Sequence, residues 1–341
     1  MSSAARPPAP PDPASAARSR MVDRWRRVDP LLPAAVPWSA EPACGASLVI
    51  SGSDGRATAT GRCAHWAGPP ESLDLSWGAA RRFVLSAEVA GPDVTGGLDG
   101  LLGRWREHLA EVPGTSDPDT AAVVDWPCRD VDGIAALLRH GLAPLEVLAA
   151  RTVSRGVKRN TGPFGEIDFD LDGGAAAGGL RIRQAGPGDV HTVARMGLEV
   201  IRWDSLFGKV TERPGTFDAL EKEAVGLLAG PAPWTWVAER DGEVAGLLAA
   251  QRPDAAGWVR PFTGQAAAAY LMLMFVAPGE RGGGAGSALV ERFHRVADAA
   301  GVGTILLHYE LLNPLSAPFW NRHGYRPLWT TWVATPASVM R

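Results

Sequence analysis

A chain of 341 residues with 46% hydrophobic content can bury two cores, and a formal net charge of −3 argues against an obligate nucleic-acid partner. Its apolar run Tyr270–Ala277 is too short to cross a membrane. Residues 1–20 are rich in Pro, Ala and Ser and lack the apolar core of a signal peptide, so they are expected as a disordered tail and the protein as cytoplasmic. Cys44, Cys63 and Cys128 are odd in number and far apart. Cys63 and His65 alone fall short of a metal-ligand set, so reduced thiols and no metal are expected.

In the first half, the apolar run Phe83–Val89 reads as a strand. The stripe Leu98, Leu101, Leu102, Trp105, Leu109 and Val112 reads as a helix face. Arg139-His140-Gly141-Leu142-Ala143-Pro144-Leu145 then returns 183 residues later as Arg322-His323-Gly324-Tyr325-Arg326-Pro327-Leu328, identical at five of seven positions. Residues 153–179, ending in a Gly/Ala stretch, read as a flexible linker.

Beyond the linker, the strand Leu180–Gln184 leads to Asp189, a cap for a helix reaching Ile201. A second helix spans Thr216–Leu228, and Trp234–Arg240 and Glu243–Ala250 form a hairpin about Asp241-Gly242. Residues 253–269 read as irregular. The run Tyr270–Ala277 follows as a strand buried on both faces. Glycines Gly282, Gly283, Gly284 and Gly286 come next, and Ala285, Ala288, Leu289, Phe293, Val296, Ala297 and Ala300 continue at helical spacing. The last elements are a strand Thr304–Glu310, Asn313, a helix Leu315–His323 and Gly324-Tyr325. The order from Leu180 is βααβββαβαβ.

A strand, a glycine loop and a helix together make an anion site. The first N–H groups of the helix lack internal partners, the helix dipole adds positive charge, and glycine lets a phosphate approach the main chain. Gly286-Ser287-Ala288 has no lysine, which excludes a phosphate loop of the NTPase type. Several residues separate Val276 from Gly282, which argues against a dinucleotide loop.

Arg281-Gly282-Gly283-Gly284-Ala285-Gly286 has the form Arg/Gln-x-x-Gly-x-Gly/Ala and resembles the pyrophosphate loop of the GNAT superfamily of acyl-CoA-dependent acyltransferases. Asn313, Ser316, Trp320, Gly324 and Tyr325 follow that family's second motif, with Trp320 where the family has Tyr. The resemblance implies an α/β (α+β) fold and acetyl-CoA (acyl-CoA) as co-substrate. It implies a cofactor site of Met274, Phe275, Val276, Arg281, Gly282, Gly283, Gly284, Ala285, Gly286, Ser287, Asn313, Phe319 and Trp320. The internal echo extends it to tandem GNAT folds, each a mixed twisted sheet flanked by helices, similar in layout to mycothiol synthase. The expected division is a tail 1–20, a degenerate copy 21–152, a linker 153–179 and a catalytic copy 180–341. At an offset of 187 the first copy has Val94 opposite Arg281 and the carboxylate Asp99 opposite Gly286, which disfavours a pyrophosphate there.

Acyl transfer to an amine needs a base. Many members carry Glu on the strand before the glycine loop, but that strand here has none. His308 lies five residues before Asn313, where a related subgroup has its base, and Glu310 shares its strand face. The pattern equally admits His308 as a structural residue. Other histidines are expected on surfaces or at helix ends. The acceptor is an amine of a small molecule or peptide, expected at the Ile201–Phe217 loop and residues 253–269, whose aromatics Trp203, Phe207, Trp258 and Phe262 suit an apolar acceptor or packing alike, and the protein is expected as a monomer or homodimer. A non-catalytic acyl-CoA-binding module is the alternative.

Overall fold

The computed structural model describes residues 13–37, 47–51, 57–153, 179–230 and 232–341, without the side chains of 13–17 and 57. Residues 1–12 of the expected tail, Cys44 and nearly all of the expected linker lie outside them. Residues 13–20 are helical, as part of α1 (Pro13–Val28). Two compact units form, and they do not follow chain order. The first comprises Met1–Trp66, Arg82–Ala143 and Trp332–Arg341; the second comprises Ala67–Arg81 and Pro144–Thr331.

In the first unit, strands β1 (Ser47–Ser51), β2 (Ala57–Ala67), β3 (Arg81–Val89) and β4 (Thr120–Pro127) lie side by side, flanked by the end of β11 (Arg326–Ala334). Helix α2 (Val94–Glu111) buries Leu98, Leu101, Leu102, Trp105 and Leu109 against them, together with Phe83, Trp126 and Trp332. Asp130 is 2% exposed and anchors α1, pairing with Arg24 at 3.0 Å and accepting from Trp25 Nε1 at 3.1 Å. Cys63 belongs to this core, and burial pushes its thiol up to about 11.

In the second unit the strand order is the start of β11, β5 (Ala143–Thr152), β10 (Thr304–Glu310), β9 (Ala269–Val276), β8 (Glu243–Gln251), β7 (Thr235–Arg240) and β6 (Leu180–Gln184). From β5 to β6 the pairing is antiparallel except between β10 and β9, which makes a mixed sheet. Helix α6 (Ala285–Ala299) packs on one face around Phe293 and Leu289, and α4 (Val190–Asp204) with α5 (Thr216–Leu228) covers the other. The β7–β8 turn places Asp241 at φ 52° and Gly242 at φ 86°, the left-handed pair that matches strand twist. Asp189 does not cap α4 forward. Its carboxylate accepts from the Gly186 N–H at 2.8 Å and from both terminal nitrogens of Arg183, so it closes the turn ahead of the helix.

The sequence echo has a structural counterpart within each unit. Helix α3 (Ile134–Arg139) ends with the Leu142 N–H donating to Leu137 O and Gly141 at φ 76°. Helix α7 (Ser316–Arg322) ends with the Tyr325 N–H donating to Trp320 O and Gly324 at φ 83°. Both are six-to-one helix ends that need a left-handed residue, which glycine adopts without cost.

A Cβ placed on Gly324 would meet nothing nearer than Arg151 Cγ at 4.0 Å, so substitution there isolates the backbone term. Gly324→Ala is expected to lower stability by about 1 kcal/mol. Denaturant unfolding of the full chain checks this, and an unchanged midpoint would refute the backbone account.

Candidate active site

The site begins where two strands part. β9 and β10 pair in parallel at Ile305↔Ala269, Leu306↔Tyr270 and Leu307↔Leu271, while both strands run on beyond those pairs. At the same level the β8–β9 register jumps from Ala250↔Leu271 to Ala249↔Leu273, leaving Met272 as a bulge. A bulge bends its strand and redirects the residues beyond it. The C-terminal ends of β9 and β10 therefore diverge into a cleft, and both carry candidate groups to its mouth.

On the β9 side, a short turn at Pro278–Glu280 feeds the glycine loop, whose residues 281–284 are exposed. Gly282 and Gly284 sit at φ 83° and 88°. Gly284 is the N-cap of α6, and no side chain caps that helix. Its first N–H groups are left for an external anion. A Cβ on Gly286 would stand 2.9 Å from Met274 Cε and 3.4 Å from Phe319 Cε2, so Met274, Gly286 and Phe319 converge. Ser287 Oγ lies 3.3 Å from His323 Nε2. Arg281 donates through Nε to Val276 O at 3.1 Å, and its guanidinium lies 4.8 Å over the Trp203 ring. These residues fit a pyrophosphate: an open helix start, left-handed glycines and a neighbouring guanidinium.

On the β10 side, alternation sets His308 and Glu310 on one face. Glu310 faces Glu146 of β5 directly across the antiparallel pair. Lys209 Nζ lies 2.7 Å from Glu146 Oε2. Asn313 donates from Nδ2 to Asp204 Oδ1 at 3.2 Å, and its own Oδ1 accepts from the Leu315 N–H. Glu310 is 3% exposed, and its Oε2 has no hydrogen-bond partner among the described residues. Burial pushes its carboxyl up to about 8; Lys209 opposes this, and Glu146 and Asp204 add to it. Burial likewise raises Asp204 to about 6 against the Asn313 hydrogen bond.

His308 Nδ1 lies 2.9 Å from the Tyr270 hydroxyl, and its ring is stacked parallel to Trp258 at 6.1 Å. Burial holds His308 below its usual value, so the imidazole is neutral at neutral pH. Burial holds the Tyr270 phenol well above its own, so that hydroxyl keeps its proton. Only the tautomer in which Nδ1–H donates to Tyr270 leaves an Nε2 lone pair for an incoming proton.

Residues 198–325 match the family model described as Acetyltransferase (GNAT) family. This stretch is a GNAT acetyltransferase domain. A crystal structure of a GCN5-related N-acetyltransferase from Sphaerobacter thermophilus is 15% identical, covers 96% of this chain and 94% of that chain, and superposes with a TM-score of 0.58; the likeness is one of fold. A tandem GNAT protein from the clavulanic acid biosynthesis pathway covers 94% of this chain and 97% of that chain at 14% identity, with a TM-score of 0.42. No curated protein matches the sequence.

The GNAT domain does not gather all the residues expected at its site. Trp320 is 7% exposed and packs in the core against Tyr325 and Phe319. Phe275 packs on the opposite side of the sheet, with the α4–α5 core. Trp203 touches Phe207 edge-to-face and lies under Arg281, which ties it to the glycine loop. His294 is not at a surface or helix end: it is 8% exposed within α6 and lies 3.0 Å from the Tyr325 hydroxyl. The sequence reading missed Glu146 and the Tyr270 hydroxyl as parts of the site, and it held Asp204 and Lys209 only as members of the acceptor loop. Among the described residues, no group of three or more His, Cys, Asp or Glu is placed to hold a metal ion, and no helix is long and apolar enough to cross a membrane.

The first unit starts its corresponding helix differently from the GNAT domain. Helices α2 and α6 align at an offset of 188, at which Leu101, Leu102, Trp105 and Leu109 match Leu289, Val290, Phe293 and Ala297. The expected offset of 187 is corrected by one residue. Leu98, not Asp99, stands opposite Gly286, and Asp99 pairs with Arg139 at 2.9 Å. Asp93 falls opposite Arg281, and its side chain accepts from the Gly96 N–H at 2.8 Å. The carboxylate thus caps from within the helix start that α6 leaves open.

The Lys209 ammonium opposes the upward shift of Glu310. Lys209→Met is expected to move Glu310 to a titration midpoint above about 8, read by carboxyl-carbon NMR; an unmoved midpoint would show that the ammonium is not felt there.

Proposed function

We propose that the protein is an N-acetyltransferase that moves an acetyl group from acetyl-CoA to an amine. The observation that carries this reading is the exposed, uncapped start of α6 behind the glycine loop, set beside a cleft whose other wall bears His308 and Glu310. The Gly282–Gly286 loop and Arg281 hold the pyrophosphate. Met274, Val276 and Phe319 line the acyl-bearing arm. His308 takes the proton from the incoming ammonium at Nε2 while Tyr270 fixes the ring through Nδ1. The freed amine nitrogen bonds to the thioester carbonyl carbon, the carbon–sulfur bond breaks, and the second proton shed by the nitrogen passes through water to the thiolate, leaving an amide, free thiol and one proton on the base. Trp320 has no hydroxyl, so water protonates the thiolate.

In this reading the first unit is a degenerate copy. Asp93 already accepts from the Gly96 N–H at its helix start, and an external anion there would meet that carboxylate. One equivalent of CoA per chain is expected.

The missing Glu on β9 favours a second reading, a non-catalytic acyl-CoA-binding module. Transfer to any member of an amine panel, followed as free thiol, separates the two.

Gly286→Asp is expected to weaken CoA binding by roughly three orders of magnitude, from about 4 kcal/mol of like-charge repulsion near 4 Å at an effective dielectric of 20. Calorimetry decides, and retained affinity would refute the placement of the pyrophosphate.

The pH–rate profile discriminates between the two candidate bases. A histidine base works when neutral, so the rate should fall on acidification through a midpoint below His308's ordinary 6.5. A Glu310 base works when ionised, so the rate would fall below about pH 8 instead. His308→Ala is expected to lower kcat/KM by roughly 10²–10⁴ with CoA affinity unchanged. A midpoint near 8 that Glu310→Gln abolishes would assign the role to Glu310.

A further inference from the structure

Accepting the acyltransferase reading, we infer that the acceptor is a primary amine carried on an apolar body, which enters as an ammonium ion and is seated against Glu310 with Asp204 and Glu146. Buried polar atoms are almost always hydrogen-bonded, and an isolated buried carboxylate oxygen is costly. Glu310 Oε2 is such an atom, in a residue only 3% exposed, on the face that meets Glu146 across the strand pair. A ligand N–H supplies the missing partner.

The charge balance points the same way. Three carboxylates, Glu146, Asp204 and Glu310, share this region with one ammonium, that of Lys209. Lys209 also shows what the region accepts, an alkylammonium 2.7 Å from a carboxylate oxygen. With Glu310 held largely protonated by burial, Glu146 and Asp204 still outnumber the Lys209 ammonium by one charge, and a second cation beside Glu310 draws its carboxyl into the ionised form.

The rim decides what carries that second cation. Leu311, Leu312 and Leu315 flank Glu310 and Asn313 in sequence and are 37%, 60% and 49% exposed. Leu206 is 69% exposed two residues from Asp204, which Asn313 ties to the same place. Trp258 is 48% exposed and stacks on His308. Exposed apolar side chains beside a polar site are the mark of a binding surface. A polyamine or a polyhydroxylated amine would leave them without a partner, whereas an ammonium on an aliphatic or aromatic body meets both the acids and the rim. A free small amine and the N-terminus of an apolar peptide share this chemistry.

Calorimetry on the full chain saturated with CoA, which supports no turnover, tests the inference with 2-phenylethylamine, leucyl-leucinamide, the neutral isostere 2-phenylethanol, and putrescine. At least one of the first two is expected to bind about tenfold or more tighter than both 2-phenylethanol and putrescine, the scale of a hydrogen bond to a charged group; whichever binds tighter identifies the source. Glu310→Gln is expected to remove that preference while leaving CoA affinity intact, and Lys209→Met to tighten amine binding. Equal binding of the alcohol, preference for putrescine, no amine binding, or selectivity surviving Glu310→Gln would overturn the inference. Failure of CoA itself to bind overturns the acyltransferase reading instead.

Discussion

The pairing of β5 with β10 is the constraint on which the candidate site depends. All seven residues of β10 find partners on β5, whereas only three are paired with β9. β10 is thus held firmly along one edge and released along the other, so the cleft can open without loss of the strand. The same register sets Glu146 opposite Glu310. Like charges directly opposite destabilise a strand pair; the Lys209 ammonium at Glu146 offsets part of that repulsion, and the raised Glu310 carboxyl, largely protonated at neutral pH, avoids much of the rest. The site keeps a concentration of acid that a folding requirement alone would remove.

That pairing also divides the site between distant parts of the sequence. Glu146 comes from the segment that ends the first half of the chain, while Glu310 and His308 come from near its end. The final ten residues, conversely, complete the core of the first unit through Trp332, Ala334, Ala337 and Met340. Neither half of the chain contains a whole unit. A fragment beginning at Leu180 lacks β5 and leaves the free edge of β10 without its partner.

The two helix starts offer an internal comparison of electrostatics. Both α2 and α6 present unsatisfied N–H groups at their first turn. In α2 the side chain of Asp93 answers one of them, the Gly96 N–H, from within. In α6 left-handed Gly284 takes the cap position and offers no side chain, so the same groups remain open to an external anion. A cap is worth about 1 kcal/mol, and α6 forgoes that stabilisation at the place where the glycine loop meets solvent.

The sequence by itself determined the features that depend on near neighbours along the chain. It set the period of α5, α6 and β10, the left-handed glycines at the ends of α3 and α7 and at the start of α6, the β7–β8 turn, and the two motifs that mark the family. These arise from local sterics and hydrogen bonds that close within a few residues. Tertiary structure alone decided which strand lies beside β10, and therefore that Glu146 joins the site from a strand remote in sequence. It decided that Trp320 enters the core, that Asn313 reaches Asp204, and that His308 meets Tyr270. Burial and the charges of groups remote in sequence set how each acid and base titrates, and a linear pattern records neither.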